Sequence, residues 1–440
     1  MESKPEGRDY DINQKNVHEK MFTFKSIKKS KQRIEKNPIA EPIIKNVICF
    51  SHLRWDFVFQ RPQHLLTRWA KEVPVYYIEE PIFGNFEVNF LKAKNYNDNI
   101  TIITPHIHEQ SGESEIQLYL EDAIKKLIKW NNITDYLFWY ITPMAVPFSK
   151  NLNPNIVIYD CMDELSHFKG AHPDMLKNEI SLLKIADVVF TGGQYLYEYK
   201  KDKHNNIYPF PSSIDQSHFE SGLQSTDPID QASIPHPRAG FFGVIDERLD
   251  IELLDGLAQK MPNVQFIMIG PVVKIDPATL PRHSNIHYLG QKSYNELPWY
   301  LGNWDIAILP FAKNDSTRFI SPTKTPEYLC CSKPVVSTSI HDVVVPYGEM
   351  GLVLISDTVN EFALAIKKAM LLVNDNSWKK KVKQVLKSNS WDLTWMGMKR
   401  IILSTLEAKE SKRKELTPIH NGLLNSKVSS NVVIPINPVI

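Results

Sequence analysis

The stretch SPTKTPE, Ser321–Glu327, places several hydroxyls, one lysine and one carboxylate side by side. Lys324 brings a full positive charge, and Ser321, Thr323 and Thr325 bring hydroxyl donors. Glu327 can accept two hydrogen bonds from a pair of vicinal hydroxyls, such as a ribose presents. Pro322 and Pro326 restrict the residues before them to extended shapes. Thr325–Pro326–Glu327 then reads as a helix start, with Thr325 at the N-cap and Pro326 as the first helical residue. A helix amino terminus presents free N–H groups and positive potential, which suits a phosphate. An anion site beside a diol acceptor describes a nucleotide diphosphate with its sugar. A plainer reading stands next to it: Glu327 only favours the positive end of a helix, and Lys324 is a solvated loop residue.

Two loops earlier in the chain carry further candidates. In SHLRWDFVFQRPQHLL, the residues Trp55, Arg61, Gln63 and His64 can meet an acceptor or a phosphate. The alternative is a long loop anchored by its aromatics, with Arg61 paired to Asp56. In YDCMDELSHF, the residues Asp160, Asp163, Glu164 and His167 cluster. A carboxylate or imidazole there can serve as general base toward a hydroxyl, led by Asp163. The alternative is a capping and turn network. DERLD at Asp246–Asp250 and DCMD at Asp160–Asp163 lack the DxD spacing with strand–loop placement, so no metal ligands are expected.

These residues must be carried by regular elements. Continuous apolar runs, NVICF, VPVYYIEE, ITIIT, YLFWYI, NIVIYD and DVVFT, read as buried strands, with helical patterns from near Pro62, over Glu115–Trp130 and over Met175–Ile185. Short apolar strands alternating with helices predict a parallel sheet covered on both faces. A second series starts at AGFFGVI and runs through VQFIMIG, IHYLG, DIAILPF, PVVST and GLVLI, with helices over 250–260, near Tyr294–Leu301 and over Val359–Val373. Between the two series, Asp215–Arg238 is poor in apolar residues and holds prolines, and it reads as a linker. The expected fold class is α/β, two Rossmann-like doubly wound domains facing a central cleft. The divisions are a basic tail over 1–40, an acceptor-side domain over 41–225, a nucleotide-binding domain over 236–385, helices over 386–411 that pack back on the first domain, and a tail over 412–440.

The chain has 440 residues, 42% of them hydrophobic and 23% charged, with a formal net charge of +1. That is the composition of a soluble globular protein and excludes a polyanion binder by charge alone, so no nucleic acid is expected. No apolar run reaches the length of a membrane span, and the polar start MESKPEGRDYDINQK has no apolar core of a secretion signal. Cys49, Cys161, Cys330 and Cys331 form no CxxC pair and read as buried thiols of a reducing cytoplasm. Residues 20–36 hold seven Lys/Arg and one acid with apolar residues at roughly helical spacing. That pattern fits peripheral contact with the inner face of a membrane, or a flexible solvated lead-in.

From about Asn46 to Glu407 the sequence resembles a glycosyltransferase of the GT-B fold, in a divergent branch near the family-4, group 1 enzymes. AGFFGVID with IELLDGLAQKMPNVQFIMIGP, NIHYLGQKSYNELPWYLGNWDIAILPF, EYLCCSKPVVST, SWDLTW and FPSSIDQSHF fall in that family's order. The resemblance implies transfer of a sugar from a nucleotide diphosphate to an acceptor hydroxyl, without a metal or other cofactor. It implies a saccharide or lipid-linked acceptor in surface polysaccharide or glycolipid assembly. The family's E-x7-E acids map to Phe319 and Glu327, so only the ribose-holding acid is present. Its diphosphate-binding Arg and Lys map to Val244 and Leu249. Arg248, one residue away, takes that role by implication, with Lys324 as second charge and Gly243 at the donor strand's end. A nucleotide-sugar epimerase on the same scaffold and a non-catalytic nucleotide-binding scaffold protein are the alternatives. A Rossmann dehydrogenase is disfavoured, because no GxGxxG follows an early strand.

Overall fold

The computed structural model describes residues 44–424. The basic segment 20–36, with the rest of the 1–40 tail, lies outside the described residues.

Two sheets organise the described chain. The first contains β1 (Asn46–Ser51), β2 (Val75–Glu79), β3 (Ile82–Gly84), β4 (Phe90–Asn97), β5 (Ile100–His108), β6 (Tyr136–Tyr140), β7 (Ile156–Cys161), β8 (Val188–Thr191) and β9 (Ile207–Pro209). The central order is β5-β2-β1-β6-β7-β8-β9, all parallel, with β3 parallel and β4 antiparallel to β5. Val47 pairs with both Val75 and Leu137, which puts β1 in the middle. Every residue of β1 is buried. Val47 and Cys49 enter the core on one face, Ile48 and Phe50 the core on the other. This two-sided burial is why the strand is continuously apolar rather than alternating.

The second sheet contains β10 (Arg238–Phe242), β11 (Gln265–Ile269), β12 (Ile286–Gly290), β13 (Ile306–Leu309), β14 (Val335–Ser337) and β15 (Val353–Ile355), in the order β12-β11-β10-β13-β14-β15 and all parallel. Both halves therefore reverse direction beside their first strand, between β1 and β6 and between β10 and β13. In open α/β sheets a ligand crevice forms at the carboxyl end of such a reversal.

Three readings need correction. Asp215–Arg238 is not a loose linker. It forms helical turns over Gln216–Glu220, Ser221–Gln224 and Ile229–Ala232. Phe219 and Ile234 are buried in the second core, whereas Leu223 and Ile229 are exposed, and Gln231 accepts the Trp304 indole N–H at 2.8 Å. The closing helix runs Trp391–Leu424, past the expected end near Lys412, through a stretch rich in helix-forming Lys, Glu and Leu. Trp391, Met398, Ile402 and Leu406 bury in the first core, and Arg68 pairs with Asp392 at 2.8 Å, so this helix ties the chain's end back to its first half. Helix Asn376–Leu386, with Trp378, Val382 and Leu386 buried, was not foreseen.

Candidate active site

The carboxyl ends of both sheets open onto one cavity of about 1130 Å³. His52 after β1, Thr142 after β6 and Asp163 after β7 line it from the first half; Val244, Arg248 and Lys274 line it from the second.

Helix Lys324–Cys330 begins earlier than expected. Thr323, not Thr325, stands at its N-cap, and its side chain makes no capping bond. Thr325 is instead buried, its Oγ1 without a partner. The shift puts Lys324 in the first turn, where its side chain crosses the end of β10. Gly243 lies beneath it at φ +145, and a Cβ there would overlap Lys324 Cε and stand 2.7 Å from Nζ. Gly243 is therefore the space through which the ammonium reaches the cleft. Among the described residues Lys324 Nζ has no hydrogen bond or ion pair closer than its setting over Phe241, 5.8 Å from the ring centroid. Glu327, one turn on and 5% exposed, has no hydrogen-bonded partner for its carboxylate among the described residues either. Burial pushes the Glu327 carboxyl up, against the pull of Lys324. Burial and the charge of Arg248 push Lys324 down, against Glu327, Asp246 and Asp163. A half-buried cation and a buried anion, each acting on the other's charge and neither with a bonding partner, have open capacity for a polar ligand.

Arg248 is held in place by Asp246, with Nε–Oδ1 at 2.9 Å and Nη2–Oδ2 at 2.7 Å. Its guanidinium lies 5.7 Å from the ring centroid of Phe168, which belongs to the first half. Leu249, in the family's lysine slot, is buried in the core, and Val244 lines the cavity without charge. Arg248 is thus the cation that the loop after β10 delivers. Across the gap, burial raises the Asp163 carboxyl to about 6, opposed by Arg248, Arg61 and Lys324. Asp163 and Lys324, from the two halves, are near enough for each to act on the other's charge.

The remaining predicted residues serve the frame. Asp160 is fully buried and accepts Arg61 Nη2 at 2.7 Å and Nε at 3.0 Å, and Trp139 Nε1 at 3.3 Å. Arg61 also donates to the Phe210 carbonyl at 2.7 Å. The expected Arg61–Asp56 pair does not form; Asp56 pairs with Lys94 on the surface. With its oxygens occupied, Asp160 anchors helix Arg61–Trp69 to the end of β7. Gln63 donates to the carbonyls of Trp55 and Val58 and so shapes the preceding loop. Trp55 packs against Tyr77, and His64 stacks on Trp391 at 4.5 Å and is kept neutral by burial. These four residues are buried away from an acceptor. His167 packs its ring on Phe319 at 5.5 Å. The carbonyl of Ser321 accepts the Ser212 hydroxyl at 2.9 Å, tying the loop before Lys324 to the first half.

Phe319, in the missing acid's slot, is 2% exposed and belongs to the first half's core. It stacks on Tyr195 at 5.3 Å and lies 4.6 Å from Tyr199.

The cleft also holds residues the sequence reading passed over. His52 lines the cavity, burial and Lys274 lower its pKa to about 4, and its Nδ1 is buried without a partner. Its position directly after β1 was the available signal. Lys274, 5.6 Å from the Phe168 ring centroid, had none, because its loop carries no motif.

Residues 241–371, the span that holds Gly243, Arg248, Lys324 and Glu327, match the family described as glycosyl transferases group 1. A Bacillus subtilis protein named for teichuronic acid biosynthesis, the glycosyltransferase TuaH, is 23% identical over 281 residues, 58% of this chain and 68% of its own. Among solved structures, an E. coli trehalose-6-phosphate structure bound with UDP-2-fluoro glucose superposes with a TM-score of 0.60 at 12% identity, covering 82% of this chain and 99% of that one. A sucrose-phosphate synthase from Thermosynechococcus elongatus gives 0.60 at 14% identity, covering 83% and 100%. The Anabaena protein HepE, in complex with UDP and glucose, gives 0.51 at 14%, covering 84% and 99%. At such identities the structural likeness is one of fold, the GT-B fold; the group 1 glycosyl transferase match is confined to residues 241–371, and together with the TuaH relative it supports a glycosyltransferase.

Proposed function

We propose that the enzyme transfers a sugar from a nucleoside diphosphate to an acceptor hydroxyl during surface polysaccharide synthesis, as the TuaH likeness suggests. The observation that carries the reading is the unpartnered pair Lys324 and Glu327, with Lys324 laid across Gly243 toward Asp163. As the sugar–phosphate bond breaks, negative charge grows on the leaving diphosphate. Lys324 and Arg248, both fixed before the reaction, meet that charge, which is where preorganised cations lower a barrier most. Glu327 accepts the ribose hydroxyls. In this reading the two side-chain cations do the work without a metal ion.

Asp163 stands on the opposite wall and accepts a hydrogen bond from the acceptor hydroxyl. With its carboxyl near 6 it is largely ionised at neutral pH and competent to take that proton.

A thermal-shift titration with nucleoside diphosphates tests the donor half, because a ligand bound only to the folded state raises Tm by mass action. The parent gains several degrees with one of them; Glu327→Ala keeps its own Tm within a degree or two and loses the gain. An equal gain in parent and variant removes Glu327 from the site. Consumption of a nucleotide sugar with no acceptor present and an epimeric nucleotide sugar as product would instead identify an epimerase.

A further inference from the structure

The turn FTGGQYL, which carries β8 into helix Gln194–Lys200, touches both walls of the cleft. Gly192 lies against the loop that bears Asp163. A Cβ there would overlap the Met162 carbonyl oxygen and stand 2.7 Å from Met162 Cα, and the Gly192 N–H donates to the Cys161 carbonyl at 2.8 Å. Gly193 lies against the second half. A Cβ there would overlap the Asp342 carboxylate and stand 2.9 Å from Ser321 Cβ, in the stretch that leads to Lys324. Neighbouring residues without side chains thus let the Asp163 loop and the Lys324 loop approach one turn from opposite sides.

The far end of the helix returns to the Asp163 loop. Lys200 is fully buried, and its ammonium stands 2.6 Å from Glu164 Oε2 and 2.6 Å from Glu179 Oε1. The Ser166 hydroxyl donates to the other oxygen of Glu164 at 2.6 Å. Glu164 directly follows Asp163, so Asp163 is tied on one side through Met162 and Gly192 and on the other through Glu164 and Lys200. Apolar residues of similar volume often stabilise a core as well as buried ions do; what the ammonium supplies here is a fixed place for Glu164.

The second half grips the same helix. Asp342 accepts the N–H groups of Gln194 and Tyr195 at its start. The His341 ring stacks on Tyr195 at 4.2 Å, and Phe319 packs on Tyr195 and on Tyr199 one turn later. We propose that Gly192–Lys200 is the positioning element of the active site: it takes its place from the second half through Asp342, His341 and Phe319, and passes that place to Asp163 through Gly192 and Lys200. Asp163 is then set in the cleft only while the halves are in contact. This rests on the acceptor-side role of Asp163 and adds the residues that hold it there.

The test follows the Asp163 carboxyl by NMR in the full chain with isotope-labelled aspartate carboxyls; its resonance is the one lost in Asp163→Asn. The parent midpoint lies near 6, and Arg61, Arg248 and Lys324, whose charges act on Asp163, stay in every variant. A loosened loop admits water and returns the midpoint toward about 4. Lys200→Met should lower it by about one pH unit or more, although loss of a cation by itself would raise it, so the sign separates place from charge. Gly192→Ala and Phe319→Leu, which change no charge, should each lower it by about half a pH unit or more. A midpoint that stays or rises in folded Lys200→Met overturns the proposal, as does an unmoved midpoint in folded Phe319→Leu. Where Lys200→Met does not fold, Gly192→Ala decides by the same measure. The titration needs no substrate, so a failure of the acceptor-side reading shows separately, as transfer that survives Asp163→Asn while the midpoints still move.

Discussion

Asp342, on the second half, caps a helix of the first: its Oδ2 accepts the Gln194 N–H at 2.9 Å and its Oδ1 the Tyr195 N–H at 3.0 Å. Gly193 makes room for it, since a Cβ there would overlap the carboxylate. Two backbone donors of helix Gln194–Lys200 thus depend on a residue almost 150 positions away. Removing such a cap costs about 1–2 kcal/mol, and here the loss also loosens the contact between the halves. Asp342→Ala should lower Tm by several degrees and increase the radius of gyration in solution scattering. An unchanged radius would show that the cap stabilises its helix without holding the cleft closed.

The Gly243–Lys324 crossing makes a sharper demand. Alanine at 243 meets two obstacles, a φ of +145 that L side chains rarely adopt and the Lys324 stem. The backbone term alone is worth about 1–3 kcal/mol. Gly243→Ala should therefore displace Lys324 and weaken nucleoside diphosphate binding at least tenfold. Lys324→Met removes the same charge without the collision, so it should match the binding loss while keeping more of the stability. Calorimetric titration of both variants, beside their melting curves, separates the two effects.

Asp163 yields a pH prediction of definite sign. Its carboxyl is raised to about 6 in the folded chain by burial, against about 3.9 unfolded. A carboxyl with a raised folded pKa favours the folded state when protonated; that benefit is complete below about 4 and is lost as pH rises through about 6. At pH 7.5 the ionised buried group costs about 1–3 kcal/mol. Asp163→Asn should accordingly melt higher than the parent at pH 7.5, with the difference vanishing near pH 4, while transfer activity falls by orders of magnitude. In the parent, kcat/KM should fall as pH drops below about 6. A variant that melts lower than the parent at pH 7.5 would assign Asp163 a structural role.

Much of this arrangement could be read before any coordinates. The buried strands declared themselves because two-sided burial leaves a run such as VICF with no polar residue, and Lys324 and Glu327 stood out beside a helix start. What stayed hidden depends on distance along the chain. Arg61 finds its carboxylate 99 residues away at Asp160, whereas a local reading offers only Asp56. β4 is exposed along almost its whole length, so it lacks the continuous apolar run by which the buried strands were recognised. Arg61, Gln63 and His64 have the residue types of a binding site, yet their hydrogen bonds and stacking are spent inside the fold.

Phe319 is the case where residue type and site conflict most. The family-4 pattern places an acid at this position; here an aromatic ring is buried among Tyr195, Tyr199 and His167 of the other half. The Arg318 guanidinium, 5.2 Å from the ring centroid, covers its outer side. The loop that should present a carboxylate to a donor sugar thus anchors the second half to the first. Phe319→Ala leaves a cavity in that core and should cost about 3–5 kcal/mol. Phe319→Glu restores the family's residue type but puts a charge in an aromatic cage, where an unpaired buried carboxylate costs more than an empty space. The expected order of Tm is parent, then Phe319→Ala, then Phe319→Glu, with the gap between the two variants closing below pH 4 as the carboxyl takes up its proton. If Phe319→Glu instead melted at or above Phe319→Ala at neutral pH, the side chain would have swung out of the cage toward the cleft, and a gain in affinity for nucleotide sugar over nucleoside diphosphate would then measure what the lost acid once contributed.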